Sequence, residues 1–309
     1  MVEHRAILVY ARMGFLRWVA RGQAWTNQLA LAVVTRQADK SAATLAPEFI
    51  PLFKRRAIVL ERGEPFTTLD LLTCLLEVRA VQQAIVGAGL PLVQLTRALA
   101  AQPSVKAQDV DVEETAFTYI LGAAGLHTQS SGHSQVKICE LLVRIAIASE
   151  LGAANASEEN EGHAAIAASA ASAVLRASGL DPYALLWYLA HGANSTARGA
   201  TLGWFMRRRL RWRLTPGMHH VIMHNDDYTS RDFVVHALHH HFALHETTAQ
   251  QLMQKVHREG LASVAILPLL QATEQIRETM RYAREQKFPF RLSLYPESGV
   301  ALAIARDAE

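Results

Sequence analysis

The sequence predicts a multidomain chain, with an all-α domain built from two helical repeats followed by a small α/β domain whose helices pack on an antiparallel sheet. Three observations lead to this prediction. The chain has 309 residues, half of them hydrophobic, which is enough for two domains that each bury a core. Residues 43–195 carry Leu and Ala at helical spacing. Residues 219–300 instead alternate between strand-like and helix-like segments joined by short turns.

The predicted helical domain contains one pattern twice. In the first copy, Thr67 precedes a leucine-rich segment and can cap its helix, and a Gly-Leu-Pro turn at 89–91 separates two further helices. In the second copy a Gly-Leu-Asp-Pro turn at 179–182 precedes the final helix. A duplicated helical unit lets each half cover the apolar face of the other. The acidic insertion at 153–162 is expected to form a loop.

Three segments lie outside the two predicted domains. Residues 1–42 form an Arg-rich N-terminal extension. We interpret it as an extra packed helix or as the product of a translation start assigned too far upstream, with a transit peptide or a membrane-surface helix as the alternative. Residues 196–218 form a basic linker with six arginines and no acidic residue. We expect a solvated linker there, or a segment that binds an acidic or anionic partner. Residues 301–309 form a tail.

Composition argues against several classes of protein. Only two cysteines are present, Cys74 and Cys139, both in apolar segments, so the sequence predicts a reduced, cytoplasmic protein without a disulfide framework. No run of about 18 uncharged apolar residues occurs, so no membrane-spanning segment is expected. Neither domain interleaves basic and aromatic residues as a nucleic-acid binder would, and we expect no nucleic-acid partner.

Nine histidines between positions 219 and 257 suggest a metal site. His236 and His240 stand one helical turn apart and could chelate a metal. However, the consecutive histidines 239–241 point in three directions, and no catalytic Glu accompanies the pair. We therefore favour a solvated helix face and expect no metal, no cofactor and no catalytic residues, so that the protein is not an enzyme.

The last third of the sequence predicts the element order β-α-α-β-α-β. A strand at 220–224 leads into an Asn-Asp turn, and Thr229 is expected to cap the first helix together with Asp232. Further elements are predicted as a helix from Thr247, a strand at 263–267, a helix at 268–285 and a strand at 290–294.

Residues 46–192 resemble the N-terminal double-repeat domain of Clp/Hsp100 AAA+ unfoldases. The resemblance rests on the runs FTTLDLL at 66–72, TQSSGH at 128–133 and LWYLAHG at 186–192. It implies a receptor-type helical domain. The phosphate loop that an ATP-driven motor requires does not occur in the 309 residues, so this relative is expected to lack the motor.

Residues 219–300 resemble the ClpS family, adaptors that deliver N-degron substrates to Clp proteases. The resemblance rests on HNDDYT at 224–229, on the spacing AxxLMxxVHxxG at 249–260 and on YARE at 282–285. It implies that Asn225, Asp226 and His257 hold the α-amino group of the substrate. It places the apolar pocket and its rim at Asp227, Thr229, Arg231, Val234, Met253, Val256 and Phe290.

Those residue types fit the implied ligand. An α-ammonium needs acceptors and a negative charge, which Asp226 and the Asn225 carbonyl supply. Methionine beside valine forms an adjustable apolar wall. The chain departs from the family at Arg231, where an apolar residue is usual, and at Phe290, where leucine is commoner. Leu270 and Gln275, the implied partner-binding positions, carry no charge where the family has acidic and basic residues.

Three functions are weighed on the sequence. The leading prediction is an adaptor that recognises bulky hydrophobic N-terminal residues and delivers its substrates to a Clp-type AAA+ unfoldase or protease. The alternative is a non-catalytic regulatory protein of a Clp complex that has lost degron binding. A histidine-metal enzyme is the third and is disfavoured. Binding to peptides that begin with Phe or Leu, compared with Ala, separates the first two.

Overall fold

The computed structural model describes residues 44–102, 109–151, 161–192 and 217–297. The chain divides into two compact units, one that holds the described residues up to Gln129 and from His133 to Leu185, and one that holds Ser130–Gly132 and the described residues from Leu186 onward. We call the helices and short strands of residues 44–192 the helical unit, and residues 217–297 the mixed unit. The predicted N-terminal extension, the tail, and nearly all of the acidic insertion and basic linker lie outside the described residues.

The helical unit contains, within its described residues, nine α-helices and a two-stranded parallel sheet. Its elements are β1 (Thr44–Leu45), a 3-10 turn (Pro47–Phe49), α1 (Ile50–Glu61), α2 (Thr68–Glu77), α3 (Arg79–Gly87), α4 (Leu92–Ala100), α5 (Val110–Ser130), β2 (Gln135–Val136), α6 (Cys139–Leu151), α7 (Glu161–Ala168), α8 (Ala170–Ser178) and α9 (Pro182–His191). None of the helices described in either unit is long and apolar enough to cross a membrane.

Local chemistry sets the helix boundaries where the sequence predicts them. Thr67 caps α2 in a capping box, because its backbone N–H donates to the Asp70 carboxylate over 2.9 Å while its own hydroxyl oxygen accepts from the Asp70 N–H. Gly89 and Gly179 adopt φ values of 90° and 72° between the last two helices of each predicted repeat. This left-handed conformation suits glycine, which has no Cβ to clash.

A buried carboxylate that the sequence analysis did not single out joins the two predicted repeats. Glu113 on α5 is only 3% exposed. One of its oxygens accepts from the Thr68 backbone N–H over 2.7 Å and from the Thr68 hydroxyl over 2.5 Å. The other accepts from the Ala170 N–H over 2.7 Å. One side chain thus satisfies orphan donors at the N-termini of α2 and α8.

The mixed unit follows the predicted order β-α-α-β-α-β. Its elements are β3 (Met218–His224), α10 (Arg231–Phe242), α11 (Glu246–Glu259), β4 (Leu261–Pro268), α12 (Leu269–Glu285) and β5 (Arg291–Pro296). The sheet is antiparallel with the order β4-β3-β5. This confirms the predicted fold class of helices on a small antiparallel sheet.

The core of the mixed unit lies between the sheet and its three helices. Alternate residues of a strand point to the same face, so Val221 and Met223 of β3 share this core with Leu292 and Leu294 of β5. The helices contribute further fully buried side chains: Phe233, Ala237 and Leu238 from α10, Ala249 and Val256 from α11, and Ala272, Ile276 and Ala283 from α12.

Two predicted helix starts in the mixed unit are wrong. Ser230, and not Thr229, caps α10, since the Ser230 hydroxyl accepts from the Phe233 N–H. The Thr229 hydroxyl instead donates to the Asp226 carboxylate. Helix α11 begins at Glu246, one residue before Thr247, because the His245 side chain accepts from the Thr247 N–H and serves as the cap.

Strand boundaries in the mixed unit also differ from the prediction. The first strand begins at Met218 and therefore includes the last residue assigned to the linker. The second spans 261–268 instead of 263–267, and the third spans 291–296 instead of 290–294. Cross-strand pairing extends the strands, since β4 is paired with β3 from Leu261 to Pro268, which periodicity in one segment cannot reveal.

Candidate functional site

A tight corner follows β3 and is organised around the side chain of Asp226. One oxygen of its carboxylate accepts from the backbone N–H groups of Tyr228 and Thr229, over 2.8 and 2.6 Å. The other accepts from the Thr229 hydroxyl over 2.8 Å. Asp and Asn favour such turns because their short side chains reach backbone donors two and three residues ahead. The corner therefore holds the carboxylate in one orientation.

Burial opposes the charge that these donors favour. Desolvation raises the pKa of Asp226 to about 6, while the hydrogen bonds from Thr229 and Tyr228 lower it and the neighbouring charge of Asp227 raises it. With this pKa, the Asp226 carboxyl is nevertheless mostly ionised at pH 7. An ionised carboxylate in a poorly solvated place is a strong acceptor for a cationic ligand, because little water competes for it.

The corner is tied to the C-terminal end of α11. The Asn225 backbone N–H donates to the Gly260 carbonyl over 2.7 Å, and the Gly260 N–H donates to the Val256 carbonyl over 2.8 Å. Gly260 adopts φ 81° and ends the helix. Two short backbone bonds thus bring the last turn of α11, which carries Val256 and His257, against the Asn225-Asp226 corner.

A pocket opens beside this corner. From the mixed unit its lining includes Met223, His224, Asn225, Asp226, Thr229, Arg231, Val234, Met253, Val256, His257 and Phe290. Nine of the ten residues that the sequence predicts for the substrate site are therefore brought together, although they come from the corner after β3, from α10 and α11, and from the segment before β5.

One wall of the pocket is apolar. Val256 and Phe290 are buried, at 3% and 1% exposure, whereas Val234 and Met253 are half-buried and present part of their surface to the cavity. The ring of Phe290 stands edge-on to that of Phe233, with 6.0 Å between their centres and an angle of 75°. This contact with Phe233 stabilises the position of the Phe290 ring in the wall.

Two lining residues, Met223 and His224, were missed as site residues. They are the last two residues of β3, and their position directly before Asn225 was the available signal. The His224 Nε2 lies 2.6 Å from the Ser293 hydroxyl across the sheet. Burial, aided by the charge of Arg291, lowers the pKa of His224 to about 3. His224 is thus neutral at physiological pH and adds no positive charge to the pocket.

Three predicted residues lie elsewhere. Asp227 is not among the residues that line the pocket. Leu270 stands at the start of α12 with 80% of its surface exposed. Gln275, further along α12, donates to the His241 backbone carbonyl at the end of α10. The pocket and the predicted partner-binding positions are thus at separate places on the mixed unit.

The histidine-rich face of α10 carries ring contacts. The imidazoles of His236 and His240 are stacked with 5.8 Å between centres, and His241 lies 5.3 Å from the ring of Tyr282. Among the residues that the structure describes, no group of three or more His, Cys, Asp or Glu side chains is placed to hold a metal ion.

The pocket suits one kind of ligand. A carboxylate fixed by three donors stands beside an amide and an imidazole, and an apolar recess begins next to them. A primary ammonium requires the first set of groups and a hydrophobic side chain requires the recess. The mixed unit is thus an α/β module in which polar and apolar side chains converge on one cavity.

Comparison with known proteins identifies the module. Residues 215–293 match the family model described as ATP-dependent Clp protease adaptor protein ClpS. The ClpS protein of Myxococcus xanthus is 38% identical over 84 residues, which are 27% of this chain and 78% of that protein. That of Vibrio cholerae is 38% identical over 74 residues, or 24% and 70%. Through this region the chain belongs to the ClpS family of Clp protease adaptors.

A solved structure is also similar. The structure of Agrobacterium tumefaciens ClpS2 bound to L-phenylalaninamide shares 32% sequence identity, covers 27% of this chain and all of that chain, and has a TM-score of 0.26. The family match confirms the predicted ClpS resemblance of the C-terminal region, which places that part of the chain in a family of adaptors. The resemblance of residues 46–192 to the Clp unfoldase N-domain stays a prediction.

Proposed function

We propose that the mixed unit recognises proteins by a free N-terminal residue with a bulky hydrophobic side chain, and that the chain delivers them to a Clp-type AAA+ unfoldase or protease. The observation that carries this proposal is the Asp226 carboxylate, held by three donors at the edge of an apolar pocket. Membership of the ClpS adaptor family supports the second half.

In this proposal the polar end of the pocket holds the α-ammonium. Asp226 supplies the negative charge, and the Asn225 side-chain carbonyl and an unprotonated ring nitrogen of His257 are proposed as further acceptors. An N-acetylated terminus has no charge and only one N–H, so it cannot replace the ammonium. Recognition therefore depends on the free terminus as well as on the side chain.

The apolar recess takes the first side chain. Met253 is flexible and half-buried beside the rigid, buried Val256, so the recess can adapt to Leu, Phe, Tyr or Trp. Burying a side chain of this size contributes about 1.5–3 kcal/mol. Alanine at the same position would forfeit most of that, which makes the pocket selective for large residues.

The helical unit is proposed as the part that engages the Clp machinery, as its predicted resemblance to the receptor domain of Clp unfoldases implies. It would be carried in the same chain as the adaptor. The uncharged Leu270 and Gln275 agree with this proposal. A chain with its own receptor-like domain does not depend on charged residues at those positions to bind the N-terminal domain of a separate unfoldase. We also propose that the protein is cytoplasmic, because its two cysteines, Cys74 and Cys139, are free and buried, as suits a reducing compartment.

Fluorescence anisotropy with labelled peptides tests the proposal. Peptides that begin with Phe, Leu, Tyr or Trp should bind the full chain, while the matching Ala peptide and the N-acetylated Phe peptide should bind at least about 30-fold more weakly, which corresponds to about 2 kcal/mol. Equal binding of the free and acetylated Phe peptides would overturn the pocket assignment. No binding by any of them would favour the alternative, a regulatory protein of a Clp complex without degron recognition.

A further inference from the structure

The pocket carries opposite charges at different places in its lining. Four charged residues lie in the segment 226–232, but only Asp226 and Arg231 are among the residues that line the cavity. Asp226 is half-buried in the corner after β3, whereas Arg231 is exposed. The negative charge is thus recessed and the positive charge lies toward solvent.

Backbone geometry separates these two charges. Asp226 holds the turn through Tyr228 and Thr229, and Ser230 then caps α10, so Arg231 is the first residue of that helix. The N-terminus of a helix carries a partial positive charge of its own, which adds to that of the guanidinium. His224 does not contribute because burial keeps it neutral.

A peptide bound by its N-terminus must leave the pocket toward solvent. Its ammonium would lie at the recessed Asp226, and its first side chain would occupy the apolar wall of Val234, Met253 and Val256. The second and third residues then pass the exposed part of the lining, where Arg231 stands. Arginine carries a permanent charge and pairs with carboxylates in a fixed fork.

Resting on the function proposed above, we infer that Arg231 makes the pocket selective for substrates with an acidic side chain at the second or third position after a bulky hydrophobic first residue. The charge order of such a peptide, positive and then negative, mirrors that of the pocket. A basic residue at the second position is disfavoured by like-charge repulsion at Arg231. The substrate class is therefore narrower than the first residue alone defines.

Three labelled peptides that begin Phe-Glu, Phe-Gln and Phe-Lys, otherwise identical, test this inference by anisotropy at 50 mM salt. An exposed ion pair contributes up to about 1 kcal/mol, so the Phe-Glu peptide should bind about 3- to 5-fold more tightly than Phe-Gln, and Phe-Lys should bind more weakly than Phe-Gln. At 500 mM salt the three affinities should converge, because screening shortens the reach of exposed charges.

Two variants assign the effect to one residue. Arg231→Gln should bind the Phe-Glu and Phe-Lys peptides with equal affinity. Arg281→Gln removes the same charge from the exposed face of α12, outside the pocket lining, and should keep the full difference.

The outcomes separate this inference from the proposed function. If all three peptides bind with equal affinity to the wild-type chain, the role of Arg231 is refuted and degron recognition stands. If Arg281→Gln removes the difference as well as Arg231→Gln, overall charge and not the pocket accounts for the selectivity. If no free Phe peptide binds, the proposed function itself fails.

Discussion

At Asp226, opposing influences on a single carboxyl group can be compared directly. Three hydrogen bonds favour the ionised form, yet burial outweighs them and the pKa rises to about 6. A rise of about two pKa units corresponds to about 3 kcal/mol of differential stabilisation. Holding the ionised carboxylate at neutral pH therefore costs folding free energy, a cost that agrees with the binding role proposed for Asp226.

We predict that Asp226→Asn abolishes binding of N-terminal Phe peptides and yet stabilises the mixed unit at pH 7 by about 1–2 kcal/mol. The amide can accept from the same backbone groups and carries no charge to desolvate, while the bond from Thr229 is weakened. Hydrogen exchange of β3 and β5 measures the stability. A loss of protection at pH 7 would contradict the prediction.

The same shift predicts how stability depends on pH. A carboxyl group whose pKa is raised in the folded state binds its proton more tightly there than in the unfolded chain. The stability advantage of Asp226→Asn should therefore be complete above about pH 6 and should disappear as the pH falls below about 4, where the wild-type carboxyl becomes protonated in the folded and the unfolded chain alike.

Peptide affinity should also depend on pH. The ionised fraction of Asp226 falls from about nine-tenths at pH 7 to about one-tenth at pH 5, given a pKa of about 6. Peptides with a free N-terminal Phe should accordingly bind about tenfold more weakly at pH 5. Anisotropy titrations between about pH 5 and pH 7 measure the change. If the affinity of Asp226→Asn depended on pH as steeply as that of the wild type, another group would be responsible for the pH dependence.

Met253 is predicted to exclude β-branched first residues. Its long side chain is half-buried at the apolar wall and can obstruct a branch close to the peptide backbone more readily than it attracts a ring. Met253→Ala should therefore bind Ile and Val peptides more tightly than the wild type and lose little affinity for Phe. Unchanged discrimination between Ile and Leu would remove Met253 from this role.

Among the elements, α2 and α8 depend on one buried group that neither of them carries. Glu113 on α5 accepts from both helix N-termini, and the hydroxyl of Thr68 also accepts from the Ala171 N–H over 3.1 Å. The donors at a helix start are orphans that need partners when they are buried. Glu113 therefore couples the two repeats of the helical unit.

We predict that Glu113→Gln destabilises the helical unit by about 2–3 kcal/mol. The amide NH₂ of glutamine would face a backbone donor where the carboxylate now accepts, so at least one buried N–H loses its partner. Hydrogen exchange at the starts of α2 and α8 should rise together. Asp111→Asn, an exposed change on the same helix, should alter exchange by less than about 0.5 kcal/mol.

On the scale of the whole molecule, each unit carries its own core. The buried cluster of the mixed unit consists of residues between Val221 and Leu294, and the predicted substrate-site residues lie between Asn225 and Phe290. The family match covers the same stretch, 215–293. The buried cluster and the predicted substrate-site residues thus lie within roughly eighty residues.

A fragment of residues 215–309 is therefore predicted to fold and to bind N-terminal Phe peptides with an affinity within about threefold of that of the full chain. The reason is that its core and its proposed ligand contacts come from its own residues. Circular dichroism and anisotropy measure the two properties. A folded fragment with no affinity would show that residues upstream of 215 complete the site.

Sequence determined those features of this protein that depend on neighbours along the chain. Helical periodicity, the capping box at Thr67 and Asp70 and the Asx corner at Asp226 all involve residues within four positions of one another, so their physical chemistry is legible in one segment. The assignment of Asn225, Asp226 and His257 to an ammonium ligand came from the resemblance to the ClpS family, with which their residue types agree, and it stays a prediction.

Only the tertiary structure decided what distant residues do together. The Gly260 carbonyl that holds Asn225, the role of Glu113 between two helix starts and the neutrality of His224 beside Ser293 each depend on groups more than thirty residues apart. At these three places, burial and the neighbouring charges result from the packing of distant segments, so they cannot be predicted from any one segment alone.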